Sequence, residues 1–313
     1  MKPGKHRMPH LLATLLIVLV LLAALPFLLI WWVTPSAPAL MGVDQPQFAR
    51  FDGGRIRFEQ AGAGAAATVF IHGFNGQLGA WNGAWSHMDA CGQRLRLDVP
   101  GFGGSDWNTA DYGLPAQARR VVALLNQRGL ARVTLVGTSM GGSLAAFIAA
   151  QYPERVERLA LLAPSGYTGA LRYPGLYGLI LRPGRLNSWA SAIARSGIYR
   201  TLFPRSRALQ ALSVTASYGP GWVEALARIR APTLIVWSRG DEGVSYTTAL
   251  DVRASIPGST LLWLDEATDH LIPQARPELI AALACGLSQG ASPAAAVGQL
   301  PSALLRAGEG IAP

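Results

Sequence analysis

Residues 133–150 read VTLVGTSMGGSLAAFIAA, and this stretch decides the fold. A short apolar run over 133–136 leads into the motif Gly137-Thr138-Ser139-Met140-Gly141, and an apolar helical segment follows at once. A strand, a sharp turn and a helix in this order are the context of a nucleophile elbow, in which the serine takes a strained backbone conformation. The residues two before and two after such a serine must lack side chains, and both are glycine here. The stretch therefore predicts Ser139 as a catalytic nucleophile.

A serine hydroxyl needs a base within hydrogen-bonding reach to attack at neutral pH, and histidine is the usual base. After an elbow of this kind the acid comes next in the chain and the histidine last. Of the five histidines, His270 is the one that follows Ser139. Asp241 lies at the predicted carboxyl end of the preceding strand, so we predict it as the acid that orients the imidazole. Glu242, one residue further on, is the alternative.

The tetrahedral intermediate formed by such a serine carries an oxyanion, which backbone amides stabilise. The amide of Met140 should be one donor, and the amide of Phe74, in the loop after the apolar run 68–71, should be the other. His72 in the same loop is expected to hold the loop by hydrogen bonds rather than to act in catalysis. Residues 98–105 lack the Gly-Lys-Ser/Thr ending of a phosphate-binding loop, so we interpret them as a structural turn.

Short apolar runs recur along the chain at intervals that leave room for helices, as is typical of parallel strands buried on both faces. The runs fall at 68–71, 95–99, 133–136, 159–162, 233–237 and 260–264. Helical patterns over 115–127 and 140–152 separate some of them, and residues 48–60 alternate around Asp52-Gly53-Gly54 as in a hairpin. The chain is therefore predicted to have an α/β fold, with a mostly parallel sheet covered by helices on both faces.

Two segments do not follow this alternation of strands and helices. Residues 166–230 contain apolar, helical stretches with interspersed Tyr and Trp, and we expect them to form a helical cap over the carboxyl edge of the sheet. Residues 288–313 are mostly Ala, Gly, Pro and Ser, which predicts a flexible tail. The catalytic domain should then span residues 47–287.

The N-terminal sequence predicts a membrane anchor. Residues 1–10 are basic, residues 11–33 form an uncharged apolar run long enough to cross a bilayer as a helix, and the proline-rich residues 34–46 form a linker. Basic residues tend to stay on the cytoplasmic side, which predicts a catalytic domain outside the cytoplasm. A cleaved signal peptide is the alternative, because Ala37-Pro38-Ala39 matches a cleavage pattern, although the apolar run is long for one.

The formal net charge is +9, from 27 basic and 18 acidic residues, and the basic residues are scattered. Nucleic-acid binding normally needs a clustered basic patch and a recognisable module, so we expect no nucleic-acid partner. Cys91 and Cys285 match no metal spacing. A disulfide is compatible with an extracytoplasmic location, but two buried thiols are the favoured expectation.

The order of these motifs resembles the α/β-hydrolase superfamily over about residues 47–287. The matching motifs are His72-Gly73-Phe74, Asp98-x-Pro100-Gly101-x-Gly103-x-Ser105, Gly137-x-Ser139-x-Gly141, Asp241 and His270. Within the superfamily, the chain is similar to monoacylglycerol-lipase-like and other carboxylic-ester hydrolases that carry an N-terminal membrane segment. The resemblance implies an eight-stranded sheet, a helical cap, an acyl-serine intermediate and no cofactor. Asp269 departs from the family pattern, in which glycine often precedes the histidine.

The function implied by this resemblance is hydrolysis of carboxylic esters. The apolar residues of the segment 166–230 and the predicted membrane tether favour acylglycerols or other lipid-like esters as substrates, with membrane lipid as a partner. The implied roles are nucleophile, acid, base and two oxyanion donors, for Ser139, Asp241, His270, Phe74 and Met140. Epoxide hydrolases and haloalkane dehalogenases are excluded, because they have aspartate where this chain has serine. Carbon–carbon bond hydrolases, proline iminopeptidases and cofactor-free haloperoxidases remain alternatives, as does a non-catalytic binding protein on the same scaffold.

Overall fold

A nine-stranded sheet forms the centre of the computed structural model, which describes residues 14–21, 24, 47–51, 54–74, 76–106, 112–165 and 220–312. The central strands β3 (Ala67–Ile71) and β5 (Val133–Thr138) are buried along their whole length. Their side chains face helices on both sides, which explains why these stretches are apolar without alternation. The strands are β1 (Gln47–Phe51), β2 (Gly54–Ala61), β3 (Ala67–Ile71), β4 (Gln93–Leu97), β5 (Val133–Thr138), β6 (Val156–Leu162), β7 (Thr233–Ser238), β8 (Thr260–Leu264) and β9 (Gly310–Ile311).

The strand order is β1-β2-β4-β3-β5-β6-β7-β8-β9. All neighbours from β4 to β8 are parallel, whereas β1, β2 and β9 pair antiparallel at the two edges. The loops after β3, β5, β7 and β8 therefore emerge at one edge of the sheet. These loops carry all the predicted site residues.

Helices cover the sheet in two groups that lie on opposite faces. One group pairs α2 (Leu114–Gln127) with α3 (Met140–Gln151), and the other pairs α1 (Asn82–Ser86) with α6 (Pro277–Ser288). Both α3 and α6 contact β3, β5 and β6. The helices are α1 (Asn82–Ser86), α2 (Leu114–Gln127), α3 (Met140–Gln151), α4 (Thr248–Ser255), α5 (Ile272–Ala275), α6 (Pro277–Ser288) and α7 (Pro293–Gly298). The prediction of a mostly parallel sheet with helices on both faces is confirmed.

The local sequence signals fix the element boundaries closely. The apolar run 260–264 coincides with β8, and the hairpin predicted over 48–60 forms with Phe51 opposite Gly54. Helix α3 ends at Gln151, because Pro153 cannot continue the helical hydrogen bonds.

The prediction of a flexible tail over residues 288–313 is wrong for the described part of that segment. Ser292 caps α7 by accepting the backbone N–H of Ala295, and the small side chain of Ala296 packs close to Gly286 in α6. Strand β9 then pairs with β8. The eight strands implied by the resemblance are accordingly nine. A composition poor in bulky residues suggested a tail, but alanines pack closely and an open strand edge supplies backbone hydrogen bonds.

The expectation of two buried thiols is also wrong, because Cys91 and Cys285 form a disulfide with their Cα atoms 5.2 Å apart. Cys91 lies just before β4 and Cys285 lies in α6, at a sequence separation of 194 residues. Pairing depends on the distance between the two Cα atoms, which sequence spacing does not contain. The bridge ties α6 to the sheet.

Two further predictions concern residues largely outside the described ones. Residues 14–21 and 24 are helical, but the remainder of the predicted anchor and the linker lie outside the described residues. None of the helices in the described part of the chain has the length and apolar character of a bilayer span. Of the predicted cap over 166–230, residues 166–219 lie outside the description, and residues 220–228 form a short 3-10 helix.

Candidate active site

The turn between β5 and α3 holds Ser139 in an unusual backbone conformation, with φ 52° and ψ −120°. A residue other than glycine in this region is strained and persists only where the surrounding structure fixes it. The two flanking glycines explain how the turn tolerates this conformation. A Cβ at Gly137 would collide with the carbonyl group of Gly141, and a Cβ at Gly141 would collide with the carbonyl of Ile71 at the end of β3. The glycine requirement predicted from the sequence is therefore confirmed.

Three side chains from three loops meet at this turn. The Nε2 atom of His270 lies 2.9 Å from Ser139 Oγ, and its Nδ1 atom lies 2.8 Å from Asp241 Oδ2. A carboxylate only accepts hydrogen bonds, so the ring proton of a neutral imidazole lies on Nδ1. The lone pair of Nε2 then faces the serine hydroxyl. The structure thus brings together the three residues that the sequence analysis predicted, in the order serine, histidine, aspartate.

Asp241 is fixed through its other carboxylate oxygen. Its Oδ1 atom accepts backbone N–H groups from Gly243, at 2.9 Å, and Val244, at 2.8 Å. The side chain is buried, which leaves Oδ2 directed at His270. Glu242, the alternative acid, is exposed. Asp269 is also exposed, and its carboxylate accepts the backbone N–H of His270 rather than contacting the ring.

The two predicted oxyanion donors, Phe74 and Met140, lie in the loop after β3 and at the start of α3. A Cβ added at Gly73 would be only 3.2 Å from Ser139 Cβ, so the loop after β3 approaches the serine closely and brings Phe74 beside it. The Phe74 ring packs edge-on against Phe102, with the ring centroids 5.8 Å apart. Met140 is the first residue of α3, so its amide belongs to the positive end of that helix. The use of these two amides as oxyanion donors stays a prediction.

His72 fastens the loop that carries Phe74. Its Nε2 accepts the backbone N–H of Val99 at 3.0 Å, so its Nδ1 must donate to the carbonyl of Gly73 at 2.7 Å. Both ring nitrogens are thereby occupied. The interpretation of His72 as a residue that holds this loop is confirmed.

Asp98 fastens the neighbouring loop after β4. Its Oδ2 accepts hydrogen bonds from the Arg57 side chain and the Gly104 backbone, each at 2.6 Å, while Oδ1 accepts the backbone N–H of Leu78 at 2.6 Å. Arg57 and Asp98 are both fully buried, so the ion pair needs these additional hydrogen bonds to offset its desolvation. The interpretation of residues 98–105 as a structural turn is consistent with this arrangement.

Two residues at the site were missed by the sequence analysis. Gly243 lies against the imidazole of His270, because a Cβ there would be 3.0 Å from Cγ. Ser238, at the end of β7, bonds through its hydroxyl to the carbonyl of Asp265, at 2.8 Å, and accepts the N–H of Gly240 at 3.0 Å. It thereby joins the loop of Asp241 to the loop of His270. In the sequence, the one signal that could have identified either residue is the glycine two positions after Asp241.

Metal ligation has no candidate group among the described residues, since no three His, Cys, Asp or Glu side chains are suitably clustered there. The expectation that the reaction needs no cofactor stays a prediction.

Fold and site together define a protein of the α/β-hydrolase type. The profile of the family described as "alpha/beta hydrolase fold" matches residues 68–202. A dihydrolipoyllysine-residue acetyltransferase component of an acetoin cleaving system from Cupriavidus necator is 30% identical over 69% of this chain. The match covers 62% of that relative, so the chain spans less than two thirds of its length. A 2-hydroxy-6-oxo-6-phenylhexa-2,4-dienoate hydrolase from Burkholderia cepacia is 29% identical, over 66% of this chain and 82% of the relative.

A bacterial membrane phospholipase A of known structure shares the fold, with a TM-score of 0.63, 24% identity, and coverage of 92% of this chain and 100% of the phospholipase. The chain therefore has the α/β-hydrolase fold, and the stretch that the family profile matches contains both the loop of Phe74 and the turn of Ser139.

Replacing Gly243 tests how closely His270 is positioned. In the Gly243→Ala protein the new methyl group must displace the imidazole, because it would lie 3.0 Å from Cγ. We expect the rate at which a fluorophosphonate labels Ser139 to fall about tenfold, since small misplacements of reacting groups are costly. Gly298→Ala is the matched control, because nothing lies within 4 Å of its added methyl group. Equal labelling rates in the two proteins would show that the imidazole does not depend on the space at Gly243.

Proposed function

We propose that this protein is a serine hydrolase that cleaves carboxylic esters through an acyl-enzyme. One observation carries the proposal: a continuous hydrogen-bonded chain runs from Ser139 Oγ through both nitrogens of His270 to the buried carboxylate of Asp241. A serine with a neutral imidazole as base, and an acid that fixes the tautomer, has the arrangement needed for nucleophilic attack on a carbonyl.

In the proposed mechanism, His270 Nε2 removes the hydroxyl proton as Ser139 Oγ attacks the ester carbonyl carbon. The imidazolium that forms is stabilised by the carboxylate of Asp241. His270 then returns the proton to the leaving alcohol, and the acyl group remains on the serine. A water molecule repeats the sequence on the acyl-enzyme, releasing the acid and restoring the free serine.

The amides of Phe74 and Met140 are proposed to hold the oxyanion of both tetrahedral intermediates. Two features support this assignment. The Met140 amide belongs to the positive end of α3, and the Phe74 loop is held close to Ser139 by His72. Donors that are fixed before the reaction need no reorganisation when the negative charge develops.

The substrates are proposed to be lipid-like esters with a medium or long acyl chain, such as acylglycerols. The sequence of residues 166–230 is rich in Leu, Ile, Tyr and Trp, far more than a linker needs. Leu271, next to the base, exposes 57% of its surface, so the described rim of the site also offers apolar surface. Each methylene that an apolar wall removes from water contributes about 0.8 kcal/mol.

The catalytic domain is proposed to lie outside the cytoplasm, tethered by residues 11–33. The Cys91–Cys285 disulfide supports this location, because disulfides persist in oxidising compartments and are rare in the cytosol. The length of the apolar run supports an uncleaved anchor over a signal peptide.

A second candidate is hydrolysis of a carbon–carbon bond. The relative from Burkholderia cepacia favours it, because its name describes a 2-hydroxy-6-oxodienoate hydrolase and the match covers most of that protein. The assays for the two functions are distinct: an esterase turns over aryl esters, whereas the second activity is followed by loss of the dienoate chromophore.

Substitutions at the serine and the acid test the proposed roles. Ser139→Ala should abolish fluorophosphonate labelling and lower ester turnover by about 10⁶-fold. In Asp241→Asn, the amides of Gly243 and Val244 hold the amide oxygen at the Oδ1 position, so the new NH₂ group faces His270 and forces the wrong tautomer. We expect a loss of about 10³- to 10⁴-fold. Glu242→Gln is the matched control and should retain wild-type turnover. The reverse order of the two acid variants would assign the role to Glu242.

The acyl-chain profile tests the substrate class. For the protein lacking residues 1–46, kcat/KM on p-nitrophenyl esters should rise from acetyl to at least octanoyl. Burial of four of the six added methylenes would contribute about 3 kcal/mol, or roughly a hundredfold in specificity. A profile that peaks at acetyl and declines with chain length would contradict the lipid-like substrate while leaving the esterase mechanism intact.

Membrane fractionation tests the proposed location. The full-length protein should stay with the membranes after a carbonate wash, because a long apolar run inserts hydrophobically rather than by charge. Removal of residues 1–46 should release a soluble protein that still labels with fluorophosphonate. A mature N-terminus near Leu40, found by sequencing, would instead show that the segment is a cleaved signal peptide.

A further inference from the structure

Beyond α6, the chain returns to β8, the strand whose following loop carries His270. Strand β9 pairs antiparallel with β8, with Ile311 opposite Leu262 and Gly310 opposite Trp263. The backbone N–H of Ala312 also donates to the carbonyl of Leu261 at 2.8 Å. His270 lies in the loop after β8, so the residues just before β9 run beside that loop.

Glu309 is the residue through which this C-terminal segment contacts the loop. Its side chain is fully buried. The Oε1 atom accepts the backbone N–H of Asp265 at 3.0 Å, and the Oε2 atom accepts the backbone N–H of Arg306 at 2.8 Å. Both oxygens also accept hydrogen bonds from the guanidinium of Arg276, that to Oε2 at 3.0 Å.

These contacts secure the chain on both sides of His270. Asp265 is the first residue of the loop before the histidine, and Arg276 directly follows helix α5 after it. Arg276 is itself buried, and its guanidinium also donates to the carbonyl of Leu304 at 2.8 Å. One buried carboxylate thus joins the two ends of the segment 265–276 that carries the base.

The loop between Asp265 and His270 has little freedom once Asp265 is fixed. Asp265 Oδ1 accepts hydrogen bonds from the backbone N–H of Thr268, at 3.0 Å, and from its hydroxyl, at 2.6 Å. Asp265 Oδ2 accepts a hydrogen bond from Arg306 at 2.9 Å. The hydroxyl of Ser238 bonds to the carbonyl of Asp265 at 2.8 Å, which connects the loop to β7.

The carboxyl group of Glu309 is ionised at neutral pH. Burial acts to raise its pKa, but hydrogen bonds from Arg276 and from the backbone of Arg306 and Asp265 outweigh burial, so the pKa lies below its ordinary value of 4.5. A lowered pKa in the folded state stabilises the fold above pH 4.5, and this contribution is lost as the pH falls through the lowered pKa. The contacts of Glu309 are therefore complete at the pH where the base must act.

We propose that Glu309 is a positioning residue for His270: by joining Asp265 to Arg276, it fixes the loop so that the imidazole stays in line between Ser139 and Asp241. The proposal rests on the function proposed above. It assigns a role in catalysis to the C-terminal segment, which touches no reacting atom.

The test is Glu309→Gln in the protein lacking residues 1–46, measured at a temperature where circular dichroism shows the variant fully folded. Glutamine keeps the size of the side chain but removes its charge and one acceptor. We expect kcat and the rate of fluorophosphonate labelling to fall about ten- to a hundredfold with KM nearly unchanged, because misplacing a base affects the chemical step. The downfield proton resonance of the His270–Asp241 hydrogen bond should broaden or shift.

Arg158→Ala is the matched control. The Arg158 side chain donates to the carbonyls of Gly290, at 2.8 Å, and Ala291, at 2.9 Å, so it secures the C-terminal segment before α7 and not at Glu309. We expect this variant to lower the melting temperature while kcat and the downfield resonance stay unchanged.

The outcomes separate the two proposals. If the wild-type protein neither labels nor turns over esters, the proposed function fails. If it does both and Glu309→Gln matches it in kcat and in the downfield resonance, the positioning role alone is refuted. Should Glu309→Gln not fold, Arg306→Ala decides by the same readouts, because Arg306 is half-exposed and contacts the same loop through Asp265. A loss of about threefold in kcat is then expected, and an unchanged kcat overturns the proposal.

Discussion

The close approach of the turn at Ser139 to the end of β3 is the constraint on which the rest of the structure depends. The turn can reach the carbonyl of Ile71 only because position 141 has no side chain, and Ser139 accepts a strained φ of 52° as a result. Strain of this kind costs on the order of 1–3 kcal/mol and must be held by surrounding packing. The fully buried strands β3 and β5 supply that packing. A well-packed sheet is therefore a condition of the site, because a looser one would let the serine relax.

Polar contacts then fix the positions of the loops around the serine. On one side, His72 and Asp98 connect the loops after β3 and β4 by accepting the backbone N–H groups of Val99 and Leu78. On the other side, Ser238 connects the loops after β7 and β8. Buried polar groups of this kind stabilise a fold when their hydrogen bonds are made, and they select one arrangement of the loops over others. The proposed reaction benefits from that selection, since the serine, the imidazole and the oxyanion donors come from different loops.

Much of this arrangement could be predicted from the sequence because it follows from local rules. Glycines flanking Ser139 indicate a turn too tight for side chains, and uninterrupted apolar runs indicate strands covered on both faces. Chain order singled out His270, and the position at a strand end favoured Asp241 over Glu242. The features that the sequence did not predict have a different origin from these local rules. The pairing of Cys91 with Cys285, the return of residues 310–311 to β8 and the contact of Glu309 with Asp265 all join distant parts of the chain. Such contacts depend on folded geometry, and the small side chains near the C-terminus gave no periodic signal of it.

The disulfide changes what a single break in the backbone can do to this molecule. Ser139 lies before residues 166–219 and both Asp241 and His270 lie after them, so a cut within that stretch divides the three side chains between two fragments. Cys91 belongs to the first fragment and Cys285 to the second, so the bridge keeps the two covalently joined. The parallel pairing of β6 with β7 spans the same division and holds the halves in register. A protease that cuts this stretch therefore produces a two-chain protein whose proposed catalytic residues remain together, unless the surroundings also reduce the disulfide.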